Sequence, residues 1–86
     1  MDQLIERNYK SIVKRGLIND ETKFSDFILK LDEEVYEFKE AYLFNDDYWI
    51  EAADIILVIF NMARHYNINI QDILKEKIII NENRHD

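Results

Sequence analysis

The amino-acid sequence predicts an all-α domain, on three observations. It contains one glycine and no proline, too few turn residues for sheets, sandwiches or glycine-rich phosphate loops. Its apolar residues recur at helical spacing, and the breaks between periodic stretches are rich in asparagine and aspartate. Its 86 residues, 48% of them hydrophobic, suit a single folded domain over 1–86 rather than two domains or a disordered chain.

The first predicted helix runs from about Asp2 to Leu17, with Leu4, Ile5, Ile12 and Val13 as its apolar positions. Gly16 and the pair Asn19-Asp20 mark its end, because glycine and asparagine tolerate the left-handed cap. The second begins near Glu21 or Thr22 and carries Phe24, Ile28, Leu31, Val35, Phe38 and Tyr42, spaced alternately four and three apart as one helical stripe. Asn45-Asp46-Asp47 is the next break, with Asp46 or Asp47 placed to cap a third helix over about 48–66. Asn67-Ile68-Asn69 is the last turn, and Asn69 with Asp72 forms a capping-box pattern for a fourth helix over about 70–84. Short loops make successive helices antiparallel neighbours, so the expected architecture is a compact, antiparallel four-helix bundle-like domain.

The third helix is the unusual one. From Trp49 to Ala63, only Glu51, Asp54 and Asn61 interrupt the apolar residues. A helix apolar all round is buried all round, and a domain this small has little material to surround it. The expectation is a homodimer or homotetramer formed through this third helix.

Composition removes several function classes. There is no cysteine, hence no disulfide, thiolate metal site or thiol nucleophile. The longest apolar stretch, 52–63, is too short to span a bilayer, and no basic-then-apolar progression opens the sequence. A soluble, cytoplasmic protein is expected. The net charge is −7, and it is local: residues 32–54 hold nine acids against the single base Lys39. Such a field repels a bare polyphosphate or nucleic acid backbone and attracts divalent cations, and neither a nucleic acid polymer nor a membrane is an expected partner.

At 100° per residue, Glu51, Asp54, Val58, Asn61 and His65 share one 80° sector of the third helix. Ionised carboxylates are almost never buried unless paired or metal-bound. Placement near the helix start, where the dipole favours acids, accounts for Glu51. It accounts less well for Asp54, more than a turn inside and flanked by alanine and isoleucine. On the second helix, Lys30, Glu34, Glu37 and Ala41 form a stripe beside the apolar face, at the edge where a neighbouring helix packs. Glu34 and Glu37 alone would read as solvated surface, as Asp32, Glu33 and Glu40 do. A second pair at the same spacing on the adjacent antiparallel helix changes that, because two such pairs converge four carboxylates on one point.

Four oxygen donors without sulfur or clustered histidine suit a hard cation, Mg²⁺ or Mn²⁺. A di-iron bundle would need Glu-x-x-His on two helices, and the sequence has that spacing once, at Glu82 and His85. His65 and His85 read as surface or helix-end residues. On the fourth helix, Lys77, Asn81 and Arg84 follow i, i+4, i+7 spacing. The helix dipole favours cations at that end, and beside an acidic metal cluster the same residues suit phosphate oxygens.

Together, Glu33-Glu34-Val35-Tyr36-Glu37, Glu51-Ala52-Ala53-Asp54 and Lys77-x-x-x-Asn81-x-x-Arg84 resemble the MazG-like nucleotide pyrophosphohydrolases of the all-α NTP pyrophosphatase superfamily, over roughly residues 22–84. The resemblance implies that Glu34, Glu37, Glu51 and Asp54 hold Mg²⁺. It implies cleavage of a nucleoside triphosphate at the α–β linkage to a nucleoside monophosphate and pyrophosphate, a role suited to house-cleaning of the nucleotide pool. Glu37 is the candidate proton acceptor, Lys77 and Arg84 would steady the polyphosphate, and Asn81 would bond a phosphate or sugar oxygen. Lys30 joins the substrate-binding set from its place on the acidic stripe. The chief rival is a non-catalytic helical regulatory or partner-binding module that keeps the acidic groove as a structural cation site.

Overall fold

The computed structural model describes residues 2–84, with side chains from Gln3 onward. It contains four α-helices: α1 (Asp2–Lys14), α2 (Phe24–Leu43), α3 (Tyr48–His65) and α4 (Ile70–Glu82). None of them is long and apolar enough to cross a membrane.

Three helices end in the same way. Gly16, Asn45 and Asn67 adopt φ of 75°, 58° and 56°, the left-handed conformation that stops a helix. Each is followed by a 6→1 backbone bond: Leu17 N–H to Ile12 O at 3.2 Å, Asp46 to Ala41 at 2.8 Å, and Ile68 to Ala63 at 2.8 Å. These are Schellman motifs, and they satisfy carbonyls that the helix would otherwise leave unpaired. α1 therefore closes at Lys14, short of Leu17.

α2 starts at Phe24, later than Glu21 or Thr22. Asn19 Oδ1 accepts the Glu21 N–H at 2.8 Å and Thr22 Oγ1 accepts the Asn19 N–H at 2.9 Å. Those side chains hold a local turn in place of a first helical turn. Asp26 Oδ2 then accepts the Lys23 N–H at 2.8 Å and opens the helix. α3 and α4 are capped as expected: Asp47 accepts from Ile50 N–H and Asn69 from Asp72 N–H, each at 3.3 Å.

α2 packs along α3, and α1 packs on α3. The α2–α3 pair is antiparallel, since Phe38 and Tyr42 meet Tyr48 at one end while Phe27 meets His65 at the other. α1 is tied to α3 by Asn8–Asn61, Tyr9–His65 and a bidentate Arg64–Glu6 ion pair.

The α2 face turned inward differs from the apolar stripe in the sequence. Phe27, Glu34 and Ala41 are buried, seven residues apart as a packing seam requires. Phe24, Ile28 and Tyr42 are exposed. On α3 the buried residues are Val58, Asn61 and Ala63, and two of these belong to the polar sector. α3 thus presents its polar stripe to α2. Its opposite side, with Trp49 at 73% and Ile56 at 55% exposure, is uncovered in the single chain, contrary to burial all round.

No α4 residue is buried, and among the described residues α4 forms no closely packed pair with another helix. Ile70, Ile73, Leu74, Ile78 and Ile80 share about 160° of its surface, but Lys77 and Asn81 stand in the middle of that arc. The packed unit is α1–α3, and α4 adds exposed apolar surface.

Candidate metal centre

The sequence places Glu34 and Glu37 one turn apart on α2, and Glu51 in the first turn of α3. Antiparallel packing brings the three together, and one carboxylate oxygen from each lies within 4.8 Å of the others. Glu34 is buried, Glu51 half-buried and Glu37 exposed. Glu34 sits within the α2–α3 seam, where the sequence had put it at the edge.

Asp54 is not among the three that converge within that distance. It is half-buried one turn beyond Glu51 and lines the same groove as Glu34 and Lys30. Burial, then the negative charge of Glu34, holds its carboxyl above the ordinary aspartate range, partly opposed by Lys30. Glu37 is also held high, first by the charge of Glu34, then by a hydrogen bond shared with it, then by desolvation and by Glu51. Lys30 lies 3.1 Å from Glu34 Oε1 and 3.5 Å from Glu33 Oε2. The Glu34 hydrogen bond, ahead of its charge, raises the lysine above its ordinary value.

The decisive feature is Glu34 Oε2. It is buried and has no donor among the described residues. A buried carboxylate oxygen left unpaired costs roughly 1–3 kcal/mol, more when charged. Glu37 and Glu51 gather on Glu34, and Asp54 shares its groove, against the single lysine Lys30, so the site has negative charge to spare. A divalent cation fits that deficit. The three oxygens lie within 4.8 Å of one another, close enough to be gathered round one hard divalent cation.

Lys77 and Asn81 lie on α4 and are exposed, and Arg84 follows its C-terminus. None of them lines the acidic groove. Lys30 does, engaged with Glu33 and Glu34.

Two residues carry more than their sequence suggested. His65 is half-buried, with Nδ1 3.0 Å from the Tyr9 hydroxyl and Nε2 3.2 Å from the Thr22 carbonyl. A carbonyl only accepts, so Nε2 carries the proton and Nδ1 accepts from Tyr9. His65, at the end of α3 as expected, thus ties α1 and the α1–α2 linker to that helix; His85 lies outside the described residues. Asn8, in the stripe Ile5, Asn8, Tyr9, Ile12, donates to Asn61 Oδ1 at 3.0 Å. The available signal was an asparagine interrupting an otherwise inward-facing stripe.

Compared with protein-family models, curated protein sequences and solved structures, the chain matches none of them. The likeness to MazG-like enzymes is carried by the motif residues alone.

Proposed function

We propose that the protein is a Mg²⁺-dependent nucleoside triphosphate pyrophosphohydrolase of the cytoplasm, with Mn²⁺ as a possible substitute ion, acting in nucleotide-pool house-cleaning. The observation that carries the cation is the donor-less, buried Oε2 of Glu34 within a three-carboxylate cluster. Glu34, Glu37 and Glu51 would hold the ion, with Asp54 completing the set by a side-chain adjustment within the same groove. When bound, Mg²⁺ neutralises polyphosphate charge and acidifies the attacking water. Water attacks at the α–β linkage, one P–O bond forms and one breaks, and a nucleoside monophosphate and pyrophosphate separate. Glu37 takes up the proton. Its exposure gives it access to that water.

Lys77, Asn81 and Arg84 are assigned to the polyphosphate. Because they do not line the groove of their own chain, they would act in a homodimer or homotetramer that brings a partner's α4 against it. The exposed Trp49 and Ile56 side of α3 is the surface through which such an assembly would form.

A second reading has its own observation. Lys30 is already held by Glu33 and Glu34, as suits a non-catalytic regulatory or partner-binding module with a structural cation. A pyrophosphate-release assay over standard and modified nucleoside triphosphates, with and without Mg²⁺, separates the two. The enzyme releases pyrophosphate from at least one nucleotide, and Glu37→Gln or Asp54→Asn abolishes this with helicity intact. No metal-dependent pyrophosphate across the panel rejects catalysis and leaves the module.

A further inference from the structure

The acidic groove continues into a cavity of about 320 Å³, the size of a small-ligand pocket. Its two ends differ in chemistry. Lys30, Glu34 and Asp54 line one end; Phe27, Val58 and Asn61 line the other. Asp54 and Asn61 are seven residues apart on α3, and Phe27 and Glu34 are seven apart on α2. At 1.5 Å per residue each interval is about 10 Å, so the two ends stand roughly one nucleoside apart. We infer that the far end binds the base of a nucleotide, read by the paired amides of Asn8 and Asn61; this deepens the nucleotide reading above and rests on it.

The pairing of the two amides is what selects a base. Asn61 is buried, and its Oδ1 accepts from Asn8 Nδ2 at 3.0 Å. An asparagine amide carries two N–H donors and two lone pairs. Among the described residues, no further side-chain bond is made by Asn61 Nδ2 or Asn8 Oδ1. A tie between α1 and α3 needs only the one bond, and both amides retain an unused half. Both amides line the cavity with Ile12, Ile18, Phe27 and Leu57, where Thr22 and Asp26 are the other polar residues outside the carboxylate end.

A flat heterocycle with adjacent donor and acceptor atoms on one edge satisfies both requirements. Every nucleobase has such an edge, and turning both asparagines over preserves their mutual bond while reversing the order presented. An anionic ligand finds no cation at this end, because Lys30 stands at the carboxylate end. The sugar then spans the groove toward Glu34 and Asp54, which sets the phosphates beside the candidate metal ligands.

The test uses the whole chain, labelled for NMR, and the unphosphorylated nucleosides uridine, cytidine, adenosine and guanosine without metal. At least one nucleoside is expected to shift the Asn8 and Asn61 side-chain amide signals saturably, while ribose does not. Asn61→Leu is expected to weaken that binding about tenfold or more. Asn8→Leu, on a half-buried position of α1, provides the same comparison should Asn61→Leu fail to fold. Shifts absent for all four nucleosides, or equal binding by a folded variant, overturn the assignment. With no phosphate or metal present, these outcomes are independent of pyrophosphate release, so failure of base binding and failure of catalysis are told apart.

Discussion

Lys30 satisfies one oxygen of Glu34 and leaves the other bare. The ammonium lies 3.1 Å from Oε1, while Oε2 is enclosed in the α2–α3 seam without a donor. Lys30 is itself 55% exposed as a side chain, so water already stabilises its charge and Glu34 gains little neutralisation from it. Glu37, Glu51 and Asp54 face the same deficit from the other side.

Glu34→Gln therefore stabilises the metal-free protein. The amide keeps an acceptor for Lys30 and removes the charge that repels three neighbouring acids. The expected gain is about 1 kcal/mol, or roughly 4–8 °C in Tm for a domain of this size. Thermal melts of both proteins in chelator check it, and a lower Tm for the variant would mean that the Lys30 pair outweighs the repulsion.

The pH dependence has a definite sign. Glu37 and Asp54 have folded pKa values above their ordinary 4.5 and 3.8. In that window the folded chain holds more protons than the unfolded one, so their contribution is present at low pH and lost as pH rises through the raised values. Glu6 runs the other way. Its hydrogen bond to Arg64 lowers its pKa, so its contribution is present above the ordinary glutamate value and lost on acidification. Metal-free melts from roughly pH 4 to 8 should show the first effect as a declining Tm that Glu37→Gln with Asp54→Asn flattens. Saturating Mg²⁺ should flatten it in the wild-type protein too, since the cation replaces the proton.

The exposed side of α3 predicts association. Ile56→Glu adds a charge to the surface that Trp49 shares and should yield a monomer, where the wild-type chain is expected to scatter light as a dimer or tetramer. A monomeric wild-type protein at micromolar concentration contradicts this. The variant leaves the polar face of α3 untouched, so metal binding provides its folding control.

The helices were legible because their ends are chemical. Gly16, Asn45 and Asn67 occupy the left-handed positions that stop α1, α2 and α3, and Asp47 and Asn69 cap α3 and α4. The inward face of α2 was not legible, because hydrophobicity alone assigns Phe24, Ile28 and Tyr42 to it. Packing against the polar sector of α3 turns α2 toward Phe27, Glu34 and Ala41 instead. Glu34, Glu37 and Glu51 could be brought together on paper by i, i+3 spacing and antiparallel pairing. The second half of the groove could not. Asn8 meets Asn61 across 53 residues; periodicity marks each as polar on an inward stripe but does not pair them. The placement of α4 was likewise hidden, since Lys77 and Asn81 stand in the middle of its apolar arc.

The cation is common to the enzyme and to its rival, so its binding decides whether the Glu34 cluster is a site at all. Titration calorimetry with Mn²⁺, repeated with Mg²⁺ and Ca²⁺, should give a saturable site in the wild-type chain. That site should weaken by about tenfold or more in Glu34→Gln, on the order of 1.4 kcal/mol, while Asp32→Asn outside the cluster leaves it unchanged. Absence of saturable binding by any of the three ions, or equal affinity in Glu34→Gln, would contradict the account.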